Sequence, residues 1–158
     1  MLLAALLLMQ GAATVPPPPS APVCRRDERS GGVAFVIRGP DRECRRFRAP
    51  RSYEGAWIDE FEGSQFVEGA RSYDEARRRM ASDPTVYWLD IDAKSDIARA
   101  VPRRSGTAYH IRLIAREMLP EPQRSPFSLP GFGHMGMWHR SLLVDAVQSA
   151  EVIRAAPE

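Results

Sequence analysis

The segment from Tyr109 to Arg116 constrains the fold most strongly, because apolar and polar side chains alternate along it with a period of two. One set consists of Tyr109, Ile111, Leu113 and Ala115, and the other of His110, Arg112, Ile114 and Arg116. Successive side chains of a strand point to opposite faces of a sheet. The segment therefore predicts a strand whose first set is buried and whose second set mostly faces water.

Other short segments show strand composition, and turn residues separate them. They cover residues 33–37, 53–61, 65–68 and 86–92. Ser72 and Glu75 form a capping box, which predicts a helix that ends by Asp83-Pro84. A short helical turn is expected over residues 95–100. Six or seven strands with one well-marked helix indicate a mainly β fold. We expect a small, partly open, OB-like β-barrel with a helix covering one end.

The N-terminal segment predicts export. Leu2 to Met9 is an unbroken apolar run followed by small residues, so residues 1–13 are interpreted as a signal peptide and the protein as periplasmic or secreted. The run is too short to be a transmembrane helix. Residues 14–30 are Pro-rich and Arg-rich, which is typical of a linker. Residues 31–154 are then a single barrel-like domain.

Export places the two cysteines in an oxidising compartment, which predicts a disulfide between Cys24 and Cys44. A lipid anchor on Cys24 and two free thiols are the alternatives. The formal net charge is +2, and nine arginines against four acids lie between residues 24 and 51. Such a segment can attract anionic partners, but we favour an arm that lies against the acidic middle of the chain, because export removes most nucleic acid from reach. An unknown protein, a small molecule or a cell-envelope ligand is the expected partner.

The stretch from Gly131 to Val147 has the least ordinary composition in the chain. Its sequence, G-F-G-H-M-G-M-W-H-R-S-L-L-V-D-A-V, predicts strands over residues 133–139 and 142–148. In the first of these, His134 and Trp138 would lie on one face, and Met135, Met137 and His139 on the other. The three glycines suggest positive φ angles, a bulge or a close backbone approach.

This stretch resembles the C-terminal G-Y-G-H-x-G...R-x-L-x-V-x-x-V segment of small secreted bacterial proteins of unassigned function. Weaker similarities are Tyr53-Glu54-Gly55, Phe61-Glu62-Gly63-Ser64-Gln65-Phe66 and the strand around Tyr109 to Leu113. The resemblance implies no activity. In the segment that it resembles, ordinary apolar residues occupy the positions of Met135 and Met137.

Three kinds of site are compatible with these residues. A binding site would use His134, Trp138, His139 and Arg140, next to a long loop over residues 119–131 that four prolines keep irregular. A copper site would use Met135, Met137 and His139, because thioether and imidazole ligands suit Cu(I). We expect instead that the methionines face the core and that His134 makes a structural hydrogen bond.

A hydrolase would need a base beside a nucleophile or paired carboxylates. The candidates are His134 or His110 with Asp90, Asp92, Ser141 or Asp145. Asp90 and Asp92 are also possible ligands of a hard cation. No spacing selects among these residues, and no cofactor is indicated. The sequence favours a non-enzymatic binding module, with the copper protein and the hydrolase as alternatives.

Overall fold

The computed structural model of the chain describes residues 23–83, 85–92, 94–95, 97–102, 104–120 and 131–155. The predicted signal peptide, the Pro-rich stretch before Val23 and the centre of the 119–131 loop lie outside these residues. The chain divides into two compact units at Cys44 and Arg45.

The first unit is a β-hairpin that a disulfide closes. Strands β1 (Arg25–Ser30) and β2 (Val33–Arg38) pair antiparallel, and helix α1 (Asp41–Cys44) follows. Gly31 and Gly32 connect the strands with φ angles of 57° and 83°, the combination that a two-residue type I′ turn requires. Sequence analysis places residues 25–30 in the linker, whereas this turn folds them onto β2 as a strand.

The predicted disulfide between Cys24 and Cys44 is confirmed. It joins the start of β1 to the end of α1, with the two Cα atoms 5.2 Å apart. A loop of this length gains about 3 kcal/mol of stability on a chain-entropy estimate. The Cys24 sulfur is bonded to Cys44, so neither the free thiols nor a lipid thioether on Cys24 describes this structure.

The second unit is a five-stranded β-barrel, which confirms the predicted mainly β, OB-like class, but the barrel is closed rather than partly open. Its strands are β3 (Arg51–Glu60), β4 (Gly63–Glu68), β5 (Val86–Asp90), β6 (Thr107–Glu117) and β7 (Arg140–Arg154). The order around the barrel is β3-β4-β5-β7-β6, and β6 pairs with β3 to close it. The pairing of β5 with β7 is parallel, and the other pairs are antiparallel.

Alternate residues of each strand fill the barrel. The predicted inward set of β6, from Tyr109 to Ala115, is buried. The interior cluster is rich in aromatic side chains, and it contains Tyr53, Trp57, Phe66, Tyr87, Leu89, Ile97, Val101, Tyr109, Ile111, Leu113, Ala115, Leu142 and Val144. The Trp57 indole donates a hydrogen bond to Ser64 Oγ at 3.1 Å, so its one polar atom is satisfied in the core.

Two helices pack against this barrel in different ways. Short helix α3 (Ile97–Ala100) contributes Ile97 to the interior cluster and so covers one end. Helix α2 (Tyr73–Met80) instead packs through Ala76 against the outward side chains of β3 and β4. Its predicted cap is present, since Ser72 Oγ accepts a hydrogen bond from the Glu75 N–H at 3.2 Å.

Candidate functional site

A cleft of about 270 Å³ opens beside the turn between β3 and β4. Its walls come from that turn, the start of β4 and the end of β5. The lining residues are Glu60, Glu62, Gly63, Ser64, Trp88, Leu89, Asp90 and Ile91. Among the described residues that line it, three carry carboxylates and none is a lysine, an arginine or a histidine.

Strand alternation places the polar side chains of this cleft. Tyr87 and Leu89 are buried in the barrel, so Trp88 and Asp90 between and after them project outward. The strand predicted over residues 86–92 is confirmed over Val86–Asp90. Glu62 occupies the tight turn with φ 58°, which directs the chain from β3 into β4.

The segment from Gly131 to Trp138 is a compact loop rather than a strand, so the predicted strand over residues 133–139 is wrong. Phe132 and Trp138 exchange backbone hydrogen bonds of 2.7 and 3.2 Å, and a 3-10 turn over His134–Gly136 lies between them. Positive φ angles at Gly133, Met135 and Gly136 coil the chain here. The glycines thus have the backbone role that the sequence indicated. The second predicted strand is confirmed and is longer, as β7.

This loop lies on the outer face of β5. A Cβ atom placed on Gly133 would be 2.4 Å from two carbons of the Trp88 ring, so the glycine backbone touches the indole. The rings of Trp88 and Trp138 have centroids 4.7 Å apart. His134 Nε2 is 3.6 Å from Glu62 Oε2. The loop is therefore attached to two residues that line the cleft, one aromatic and one acidic.

The sequence analysis expected Met135 and Met137 to face the core, and this expectation is wrong. Their exposed fractions are 65% and 62%. The physical reason is the 3-10 turn, which removes the period-two alternation from this segment. His139 is also exposed. In the part of the chain that the structure describes, no three side chains among His, Cys, Asp and Glu form a metal-binding group.

Arg140, the remaining candidate ligand residue, belongs to an ion-pair network at the start of β7. Its guanidinium donates two hydrogen bonds, of 2.9 and 3.1 Å, to the carboxylate of Glu117 and lies 4.2 Å from the Tyr87 ring centroid. The hydrogen bond to Glu117 raises the pKa of Arg140, and burial raises the pKa of Tyr87 to about 12. Arg140 therefore stabilises the barrel wall rather than lining the cleft.

The residues considered for a hydrolase have separate partners. His134 pairs with Glu62, and His110 Nε2 lies 3.7 Å from Glu54 Oε1. Asp145 accepts two hydrogen bonds from Arg116, of 2.9 and 2.7 Å. Ser141 is 1% exposed. His134, His110 and Asp145 therefore each face a side chain of opposite type, whereas Asp90 lines the cleft with Glu60 and Glu62.

The sequence analysis missed Trp88, Glu60, Glu62 and Ser64 as cleft residues. The signal for Trp88 was available, because strand alternation already placed this large aromatic residue on the outward face. The glutamates and the serine are neighbours in the β3–β4 hairpin, but they meet Trp88 and Asp90 only through the pairing of β4 with β5, which a single sequence does not specify.

Among the described residues, no helix combines the length and the apolar character needed to cross a membrane. No protein-family model matches the chain, and comparisons with curated proteins and with solved structures found no match either.

Proposed function

We propose that the protein is an exported, non-enzymatic binding module whose ligand site is the cleft between the β3–β4 turn, β5 and the Gly131–Trp138 loop. The proposed ligand is an uncharged oligosaccharide of the cell envelope. The observation that carries the proposal is the position of the cleft on the barrel.

OB-type barrels bind ligands on the face of their second and third strands, between the loop that joins strands one and two and the loop that joins strands four and five. In this barrel those strands are β4 and β5, and those loops are the β3–β4 turn and the β6–β7 connection. The cleft lies at this position. Because one barrel architecture serves many functions, the choice of ligand rests on the lining and not on the fold.

The lining favours a ligand with hydroxyl groups and without negative charge. The carboxylates of Glu62 and Asp90 can accept hydrogen bonds from a ligand, as can that of Glu60, which also accepts one from Arg77 at 3.2 Å. The indole of Trp88 supplies an apolar surface beside them. An anionic ligand such as a nucleic acid would meet these carboxylates, of which Glu60 pairs with Arg77 and Glu62 lies beside His134.

Export supports the choice of an envelope ligand. The disulfide is typical of exported proteins, and the predicted signal peptide gives the route. Export would bring the open cleft of this small barrel into contact with the glycans of the cell envelope.

Titration calorimetry with N-acetylchitotriose and with an oligodeoxythymidine tests the proposal. The chain offers a matched pair of variants, since Glu62 and Glu54 each face a histidine at similar distance. Glu62→Ala removes an acceptor from the cleft. Glu54→Ala makes the same change six residues before Glu60, about 20 Å along β3.

We expect the sugar to bind and the DNA oligomer not to bind. A lost hydrogen bond of about 1 kcal/mol predicts roughly five-fold weaker sugar binding for Glu62→Ala and unchanged binding for Glu54→Ala. His134→Gln separates the glutamate's own role from that of its histidine partner. Binding of the DNA oligomer, or an equal effect of the two glutamate variants, would contradict the proposal.

A further inference from the structure

Strand β2 of the hairpin exposes an unusual amount of apolar surface. All six of its residues are exposed, and Val33, Phe35, Val36 and Ile37 have exposed fractions of 66%, 40%, 47% and 39%. Single exposed apolar residues are common on protein surfaces, but contiguous apolar patches mark interaction sites. Val33, Phe35 and Ile37 share one face of the strand and make a contiguous apolar row, and Val36 lies on the other face.

The two edges of the hairpin differ in chemistry. Strand β1 carries Arg25, Arg26, Asp27, Glu28 and Arg29, and charges of this kind discourage further strand pairing. Strand β2 carries no charge between Val33 and Ile37. Among the described strands only β1 pairs with β2. Charged side chains therefore discourage strand pairing at the β1 edge of the hairpin, which we call the guarded edge, whereas the β2 edge presents an apolar strand.

We propose that β2 pairs antiparallel with β2 of a second copy of the chain, with the two-fold axis at Phe35. An isolated two-stranded hairpin is marginally stable, and three or more strands with an apolar face are needed for independent stability. Pairing through β2 produces a four-stranded sheet. A two-fold axis is also the commonest symmetry of protein dimers.

The register follows from the direction of the backbone hydrogen-bonding groups and from the side chains that it pairs. In a two-residue hairpin the pair next to the turn exchanges both hydrogen bonds, so Val33, Phe35 and Ile37 direct their backbone groups toward β1. Ala34 and Val36 direct theirs outward. An axis at Phe35 makes Ala34 and Val36 of the two copies hydrogen-bonded partners.

This register also pairs like with like. Phe35 faces its own counterpart, Val33 faces Ile37 of the other copy, and Arg38 falls opposite the Gly32 turn. Moving the axis to Val36 would place Arg38 opposite Ala34 and leave Val33 without a partner.

Light scattering and native mass spectrometry of the disulfide-bonded chain test the pairing. We expect a two-fold mass for the parent protein, and a monomer for Phe35→Lys or Phe35→Asp alone, because each places like charges together on the axis. Mixing these two variants should restore the dimer as a heterodimer. Glu28→Gln, on the guarded edge, is the control and should remain dimeric.

The mixing experiment distinguishes pairing from misfolding, because a misfolded hairpin would not be rescued by its opposite. The register has its own check. Val33→Lys should be rescued by Ile37→Asp and not by Val33→Asp. A monomeric parent protein, a dimer that Phe35→Lys leaves intact, or a failed rescue would overturn the proposal. Co-sedimentation of a monomeric parent with phosphatidylglycerol vesicles would overturn it as well and would assign β2 to a lipid surface.

Discussion

Gly133→Ala is the substitution that tests most sharply how the loop is held on the barrel. Gly133 has φ 68° and ψ −159°, a combination that is essentially restricted to glycine and costs other residues about 1–3 kcal/mol. The added methyl group would also approach two Trp88 ring carbons to 2.4 Å, a separation that requires the ring or the loop to move. Overpacking of this kind typically costs about 1–3 kcal/mol.

The loop can avoid both the backbone strain and the clash with Trp88 by leaving the β5 surface. The loss of stability is then limited to the free energy that the contacts between the loop and β5 contribute. That contribution includes the contact of Trp88 with Trp138, about 0.5–1.5 kcal/mol beyond the buried area, and the burial of part of each ring. We therefore expect the free energy of unfolding to fall by about 2–3 kcal/mol. The amide protons of Phe132 and Trp138, which bond each other's carbonyls, should lose protection from hydrogen exchange.

Gly69→Ala is the control. Gly69 also has a positive φ, of 79°, but the nearest atom to an added Cβ is the end of the Arg79 side chain at 3.8 Å. This variant carries only the backbone cost, about 1–2 kcal/mol. Urea unfolding and exchange rates measure both variants. Equal destabilisation, or unchanged protection of the two loop amides in Gly133→Ala, would refute the proposed contact with Trp88.

Three further predictions concern single side chains. Met137→Ala should change the free energy of unfolding by no more than about 0.5 kcal/mol, because the side chain is exposed; a Cu(I)-dependent rise in melting temperature that the variant loses would instead identify a copper site. Ser72→Ala should cost about 1 kcal/mol in thermal unfolding, because it removes the acceptor for the Glu75 N–H, and a neutral result would contradict the cap. The pKa of Tyr87 is raised from 10.0 to about 12 by burial, so the folded state holds its proton more tightly and stability should fall as pH rises from 10 to 12. Denaturant titrations at a series of pH values measure this fall in the free energy of unfolding, and Tyr87→Phe should make it shallower. An unchanged dependence of stability on pH would contradict the burial of the hydroxyl.

Much of the barrel was predictable because local patterns agree with it. The alternation along β6 identified the buried set from Tyr109 to Ala115, and the capping box at Ser72 identified the start of α2. The disulfide followed from two cysteines and the inference of export. For β6 and α2 a short segment carried the whole signal.

The loop before β7 shows what a local pattern leaves undetermined. The sequence around Met135 and Met137 fits a strand by alternation, but glycines on both sides allow the positive φ angles that coil it. Tertiary contact with Trp88 then fixes the coiled form. The cleft could not be predicted either, since Glu62 and Trp88 come together only when β4 pairs with β5.

A ¹H–¹⁵N chemical-shift map of the isotope-labelled protein, recorded during titration with N-acetylchitotriose, tests the proposed ligand site most directly. The proposed site predicts that the Trp88 indole and the amides of Glu62, Gly63 and Asp90 shift with one common dissociation constant. The amides of β6 around Arg112, on the far outer face of β3 and β6, should remain unchanged. Shifts centred on β6, or no shift of the Trp88 indole at saturating sugar, would contradict the assignment of the cleft as the binding site.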